Sequence, residues 1–144
     1  MKRTNRGLTT VEFSIVATVL FVTLFAAMEY SRLLFTYAVL AEGARRGARL
    51  ATVCPLNDPG IANTVNFTGL PGFTSSNVQL TYLDINGTAT ATYSAISYVR
   101  VGIVGYSIHL SIPIVNPTIA APSFAVTLPR ESLGVSPTAT YTCS

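Results

Sequence analysis

Charge is scarce in this chain. Asp, Glu, Lys and Arg make up 10% of its 144 residues, where about 25% is usual for a soluble domain. The formal net charge of +3 does not describe a basic surface, because Lys2, Arg3 and Arg6 crowd ahead of Gly7 and the later arginines are balanced by carboxylates. The 94 residues from Ala51 hold two cations, Arg100 and Arg130. A nucleic-acid binder needs Lys and Arg clustered on a folded face, so nucleic acid is not an expected partner. The chain also has no CxxC pair and no His/Cys cluster, which argues against a metal site. Paired carboxylates beside the β-prone part, a Ser/His/Asp arrangement and a Gly-rich phosphate loop are all missing. The reading is therefore a non-enzyme with no cofactor and no catalytic residue. His109, the sole histidine, sits between Ile108 and Leu110 in a β-prone run and reads as a structural side chain.

Helix breakers are missing from the first third. No proline precedes Pro55, and no glycine lies between Gly7 and Gly43. One continuous helix over residues 8–53 follows, on the order of 70 Å at 1.5 Å per residue. Residues 13–28 carry no charge; counted from Leu8, with Glu12 the one interruption, the run reaches the ~20 residues a spanning helix needs. Beyond Met28 the character changes. Glu29 and Arg32 stand at i,i+3, and Glu42 precedes Arg45, Arg46 and Arg49 at helical spacings, marking a surface that meets water. Leu33, Leu34, Tyr37, Leu40, Ala41, Ala44, Ala48 and Ala51 read as the opposite, apolar or small side. Residues 8–28 thus read as membrane-facing and 29–53 as amphipathic and docked. Two partners are open for the stripe of Ala41, Ala44, Gly47, Ala48 and Ala51: a second helix, since small side chains let backbones approach, or the chain's own sheet. Two readings are also open for Arg45, Arg46 and Arg49: a solvated face pairing with Glu42, or a contact with headgroups or a neighbouring subunit.

Past Cys54 proline, glycine and asparagine appear. "CPLNDPGIANTVNFTGLPGF" reads as loop. "NVQLTYLDI" and "TATATYS", separated by Asn86-Gly87, predict a hairpin with a type I′ turn. "SYVRVGIVGYSIHLSIPI" reads as a long strand region with Gly102 and Gly105 as bulges, and a further strand is expected around Ser123–Leu128. Asp58 and Asp84 read as turn formers. Asn66-Phe67-Thr68 and Asn86-Gly87-Thr88 fit the glycosylation sequon, which is common by chance. The expected fold class is α+β: a long N-terminal helix followed by a small antiparallel sheet over residues 54–144.

Cys54 and Cys143 flank almost all of that second part. Two buried thiols would suit a cytosolic protein; the membrane-directing head favours an oxidising compartment and hence a disulfide.

The head itself, "KRTNRGLTTVEF", raises the functional question. A carboxylate at bilayer depth costs on the order of 2–3 kcal/mol, yet Glu12 stands at the entrance of the apolar run. A cleaved secretory signal fits poorly, because Glu12 intrudes between basic head and apolar core and "TLFAAM" is a weak cleavage site. An uncleaved anchor, with Glu12 merely interfacial, needs no special role for Gly7. The remaining pattern, a short basic leader ending in Gly7, glutamate five residues on and aromatic Phe13 next, resembles the type IV prepilin leader. That resemblance implies cleavage between Gly7 and Leu8 by a prepilin peptidase. The three leader positives would hold the head in the cytoplasm, so the rest is exported. Cleavage would leave an ammonium on Leu8 about one turn from Glu12, able to neutralise it within a subunit or between neighbours, and the helix N-terminus itself favours an anion.

The block "GLTTVEF…MEYSRLLF…AEGARRGARLAT" is similar to the TadE-like family of pilin-related proteins of tight-adherence (Flp-type) systems. Gly7, Val11, Glu12 and Phe13 carry the first part of its pattern, Glu29 and Arg32 the second, and Gly47-Ala48-Arg49 the last, with Gly43-Ala44-Arg45 as a second copy. Many relatives have a proline in the apolar run, and this chain has none. The resemblance covers about residues 7–52. It implies a pilin-like subunit, minor or main, that is inserted in the inner membrane as a precursor with its C-terminal part exported, then placed in a pilus or the periplasm. Its partners would be the membrane, other pilin subunits and the pilus assembly platform. Two alternatives remain: a single-pass anchored envelope protein whose β domain binds a ligand or cell wall, and a secretion-complex subunit that never polymerises.

Overall fold

The computed structural model describes residues 6–65, 69–112, 117–135 and 143; most of the leader expected at residues 1–7, and the sequon at Asn66, lie outside them. The fold is α+β. Helix α1 runs from Arg6 to Val53 without a break, about 72 Å long. It stops where it must: Cys54 precedes Pro55, and the residue before a proline is pushed out of the helical region.

A short helix, α2 (Pro59–Val65), follows, where the sequence reading had only loop. The reason is local. Pro59 sits at the first helical position, where a proline is preorganised and its missing N–H costs nothing. Asp58 precedes it, and its Oδ1 accepts from the Gly60 N–H at 2.7 Å, in the manner of an N-cap. Ile61 and Val65, one turn apart, are then both buried.

Three antiparallel strands form the main sheet: β1 (Val78–Leu83), β2 (Tyr98–Ile103) and β5 (Phe124–Pro129), in the order β1-β2-β5. A separate ribbon pairs β3 (Ser107–His109) with β4 (Thr118–Ala120). The register stacks apolar rungs across the sheet: Tyr82–Val99–Leu128, Leu80–Val101–Val126 and Val78–Ile103–Phe124. All of these point to α1. The alternate rungs, such as Thr81–Arg100–Thr127, lie on the opposite face, as expected for an antiparallel sheet with one side covered.

Three expectations are corrected here. The type I′ hairpin does not form, because "TATATYS" contributes one isolated bridge, Leu83 to Ala89, and β1 pairs with β2 instead. Asn86 keeps a negative φ while Gly87 takes φ +80°. The Gly87 N–H bonds the Asp84 carbonyl at 3.1 Å and the Asp84 N–H bonds the Thr88 carbonyl at 2.8 Å, a three-residue loop with glycine at the left-handed position. Asp84 Oδ1 holds it by accepting from the N–H groups of Asn86 and Thr88. Gly102 makes no bulge; it sits in regular register between Gln79 and Ala125. Gly105, at φ +67°, ends the strand region as a bend, so that β2 and β3 belong to different sheets.

The docked stripe of α1 resolves in favour of the sheet. Thr36, Leu40, Gly43, Ala44, Gly47, Ala48 and Ala51 are buried, spaced by three and four residues as one helix face requires. They pack on β2, β5 and α2. Gly47 shows how close that approach is: a Cβ there would lie 2.5 Å from Val65 Cγ2 and 3.2 Å from Val101 Cγ1. Gly47→Val is therefore expected to destabilise the domain by about 1–3 kcal/mol through overpacking. Arg45→Val, on the exposed face, should stay within about 0.5 kcal/mol. Denaturant midpoints of the full chain in detergent micelles measure both.

Candidate functional site: the projecting helix and its junction with the domain

Residues 7–35 of α1 bury nothing fully, and the first buried side chain is Thr36. The most apolar window has mean hydropathy 2.2 and is 0% buried, and the helix is long and apolar enough to cross a membrane. Its hydroxyls do not demand water. Ser14 donates to the Thr10 carbonyl at 2.8 Å, Thr18 to Ser14 at 2.7 Å, Thr23 to Val19 at 2.6 Å and Ser31 to Ala27 at 2.8 Å. Bonding back to i−4 carbonyls satisfies these groups inside the helix, which hydrocarbon requires of any polar group.

Gly7, Leu8, Glu12 and Phe13 all lie on this projecting half, with Phe13 73% exposed. A Cβ at Gly7 would meet nothing within 4 Å. The ion pairs among the described residues are Glu29–Arg32 and Glu42–Arg46, so Glu12 has no countercharge there.

Glu29 and Arg32 stand at the junction with the domain, Oε1 to Nη1 at 3.7 Å. Arg32 Nη1 also donates to Ser111 Oγ at 3.1 Å. Higher up, Arg46 rather than Arg45 or Arg49 binds Glu42, Nε to Oε1 at 2.8 Å. That bond, with the positive charge of all three arginines, holds the Glu42 carboxyl below its ordinary pKa. Arg45 and Arg49 are exposed. His109 is exposed at the end of β3 and shares a cleft with Arg32 and Tyr106. Burial pushes the Tyr106 phenol pKa up, and Arg32 opposes the shift; the hydroxyl donates to the Pro71 carbonyl at 3.0 Å.

At the far end of α1, Cys54 is joined to Cys143 by a disulfide, with a Cα separation of 5.8 Å. Asp58 closes the same corner: its Oδ2 accepts from the Cys143 N–H at 3.1 Å. A side chain at Gly60 would run into the Cys143 carbonyl.

The arrangement on α1 is thus an exposed apolar segment with a lone carboxylate near its start, then an acid–base pair, then a small-residue stripe ending in Gly47-Ala48-Arg49. Residues 7–49 match the TadE-like protein family. The TadE-like segment takes in the projecting half of α1 and most of the docked half, and ends before the β domain. No curated protein matches the chain, and no solved structure does.

Sequence reasoning missed Ser111, the partner of Arg32, and the role of Asp58 at the disulfide. Asp58-Pro59 was a readable helix-start signal. Ser111 had none, because it alternates with Leu110 and Ile112 as any strand residue would.

Proposed function

We propose that this chain is a pilin-like subunit of a tight-adherence pilus. It enters the inner membrane with its C-terminal domain exported, loses residues 1–7 to a prepilin peptidase, and joins or primes a filament through α1. The observation that carries the reading is the projecting apolar half of α1 with Glu12 on it, unpaired among the described residues, inside a segment that matches the TadE-like family. A helix of this kind has no use for Glu12 as an anchor alone. It has one when trimming after Gly7 creates an ammonium on Leu8, on the same subunit or the next. The domain on Leu40–Ala51 then stands clear of the lipid, and α1 is left free to pack against other subunits and the assembly platform. Its role is structural, without catalysis.

Intact mass of the membrane-extracted protein from its host tests this. The expected mass lacks Met1–Gly7. An intact amino terminus would favour a single-pass tethered ectodomain.

A further inference from the structure

Beyond β3 the chain turns back along α1 toward the membrane half. Leu110 and Ile112 face Phe25, Ala26, Tyr30 and Leu33 across an open groove of about 550 Å³. Its walls are apolar, but its rim is not. Glu29 lines the groove, its side chain is 21% exposed, and its Oε2 is buried with no hydrogen-bond partner among the described residues. Arg32 stands one turn further on, its side chain 49% exposed, with its guanidinium on Ser111 Oγ. The groove is therefore lined by a carboxylate that keeps one oxygen buried without a donor and, beside it, a cation with N–H groups to spare.

Depth says what meets such a rim. Leu8 to Met28 spans about 31 Å as a helix, against a hydrocarbon thickness of about 30 Å. Glu29 and Arg32 then fall at headgroup level and the groove runs down beside the acyl chains. Tyr30, 62% exposed, is a residue type favoured at that interface.

We propose that this groove binds a zwitterionic phospholipid with a primary ammonium, that is, phosphatidylethanolamine. The ammonium donates to the Glu29 carboxylate, which turns its buried Oε2 outward to meet it, the phosphate accepts from the Arg32 guanidinium and the Ser111 hydroxyl, and one acyl chain lies between Phe25 and Ile112. An unpaired carboxylate oxygen out of water is costly, and the three N–H groups of an ammonium relieve it. The quaternary head of phosphatidylcholine has no N–H to give. Phosphatidylglycerol would bring a phosphate beside Glu29 with no ammonium to balance it. The site rests on the membrane reading of α1 above.

The test is native mass spectrometry of the full chain released from detergent with phosphatidylethanolamine, phosphatidylcholine or phosphatidylglycerol of matched acyl chains. Phosphatidylethanolamine is expected to be retained about tenfold better than the other two, the effect of one charge-assisted hydrogen bond. Glu29→Gln should erase that preference, and Ile112→Ser should weaken all three lipids alike. Equal binding of phosphatidylcholine, or a preference that survives Glu29→Gln, overturns the proposal. A dimer that excludes lipid assigns the groove to a second copy and also overturns it. Alkaline carbonate extraction of host membranes separates the two failures. A chain released by carbonate defeats the membrane reading and the site together, whereas a retained chain without the lipid preference defeats the site alone.

Discussion

Glu12→Ala is expected to leave membrane insertion intact and to cut incorporation into filaments at least tenfold. Insertion should if anything improve, because the change removes a charge that costs on the order of 2–3 kcal/mol at bilayer depth. Filament entry should fail for the opposite reason. After the proposed trimming, the Leu8 ammonium and the Glu12 carboxylate would lie about 6 Å apart along the axis, both far enough into the apolar run to need each other. In a stack of subunits the same charges can pair between neighbours, so correct stagger is rewarded and wrong stagger leaves both charges bare. A polar group that specifies register at a cost in stability is a known device in helical assemblies. A tenfold effect needs about 1.4 kcal/mol, less than the cost of leaving that carboxylate unpaired. Immunoblots of sheared filaments against the membrane fraction provide the measurement, and Glu12→Asp should restore part of the signal. Normal filament entry by the alanine variant would remove the pairing role altogether.

Loss of the disulfide is the second large effect. The bridge between Cys54 and Cys143 has a sequence separation of 89, and in the chain-entropy model a loop of that size is worth about 4–5 kcal/mol. Whole domains are stable by only about 5–15 kcal/mol, so the double variant Cys54→Ala, Cys143→Ala should lose a large share of its stability. Cys54 is fully buried in the cluster with Ala51, Ile61 and Leu133, which adds a small cavity to the loss. The Asp58 bond to the Cys143 N–H cannot replace the bridge, because a single hydrogen bond to a charged group contributes about 1.5–3 kcal/mol. Denaturant midpoints with and without reductant should differ for the native chain and coincide for the double variant. Thiol alkylation without reductant should label neither cysteine; two labelled thiols would rule the bridge out. The bridge also agrees with export, since such bonds persist in oxidising compartments.

These two effects belong to opposite ends of α1, and the division follows from the helix itself. Its first 30 residues carry large apolar side chains that stay exposed, such as Phe13, Phe21 and Phe25. From Leu40 the face turned to the sheet is small enough for β2 to approach. The TadE-like segment covers both parts, whereas the β domain lies outside the match. The domain-side features, from the Asp84 loop to the Cys54–Cys143 corner, are thus properties of this chain rather than ones read from that family.

Much of this could be read from residue order alone, because the information was local. The missing prolines and glycines make α1 continuous, and the spacing of Leu40, Ala44, Gly47, Ala48 and Ala51 marks its docked face. The alternation in "VQLTYL" and "FAVTLP" marks half-covered strands. What escaped depended on distant partners. "TATATYS" is as β-prone as β2, but β2 offers Val99, Val101 and Ile103 to the helix, where "TATATYS" offers threonines and alanines, so burial chose the partner of β1. Asp58 found Cys143, and Arg32 found Ser111, 79 residues away. Periodicity tells which side of an element is apolar, but the energy of burial is collected only when a particular neighbour arrives. The helix and its carboxylate were therefore set by sequence alone, while the sheet order, the small-residue contact and the groove beneath Leu110 and Ile112 were decided by tertiary packing.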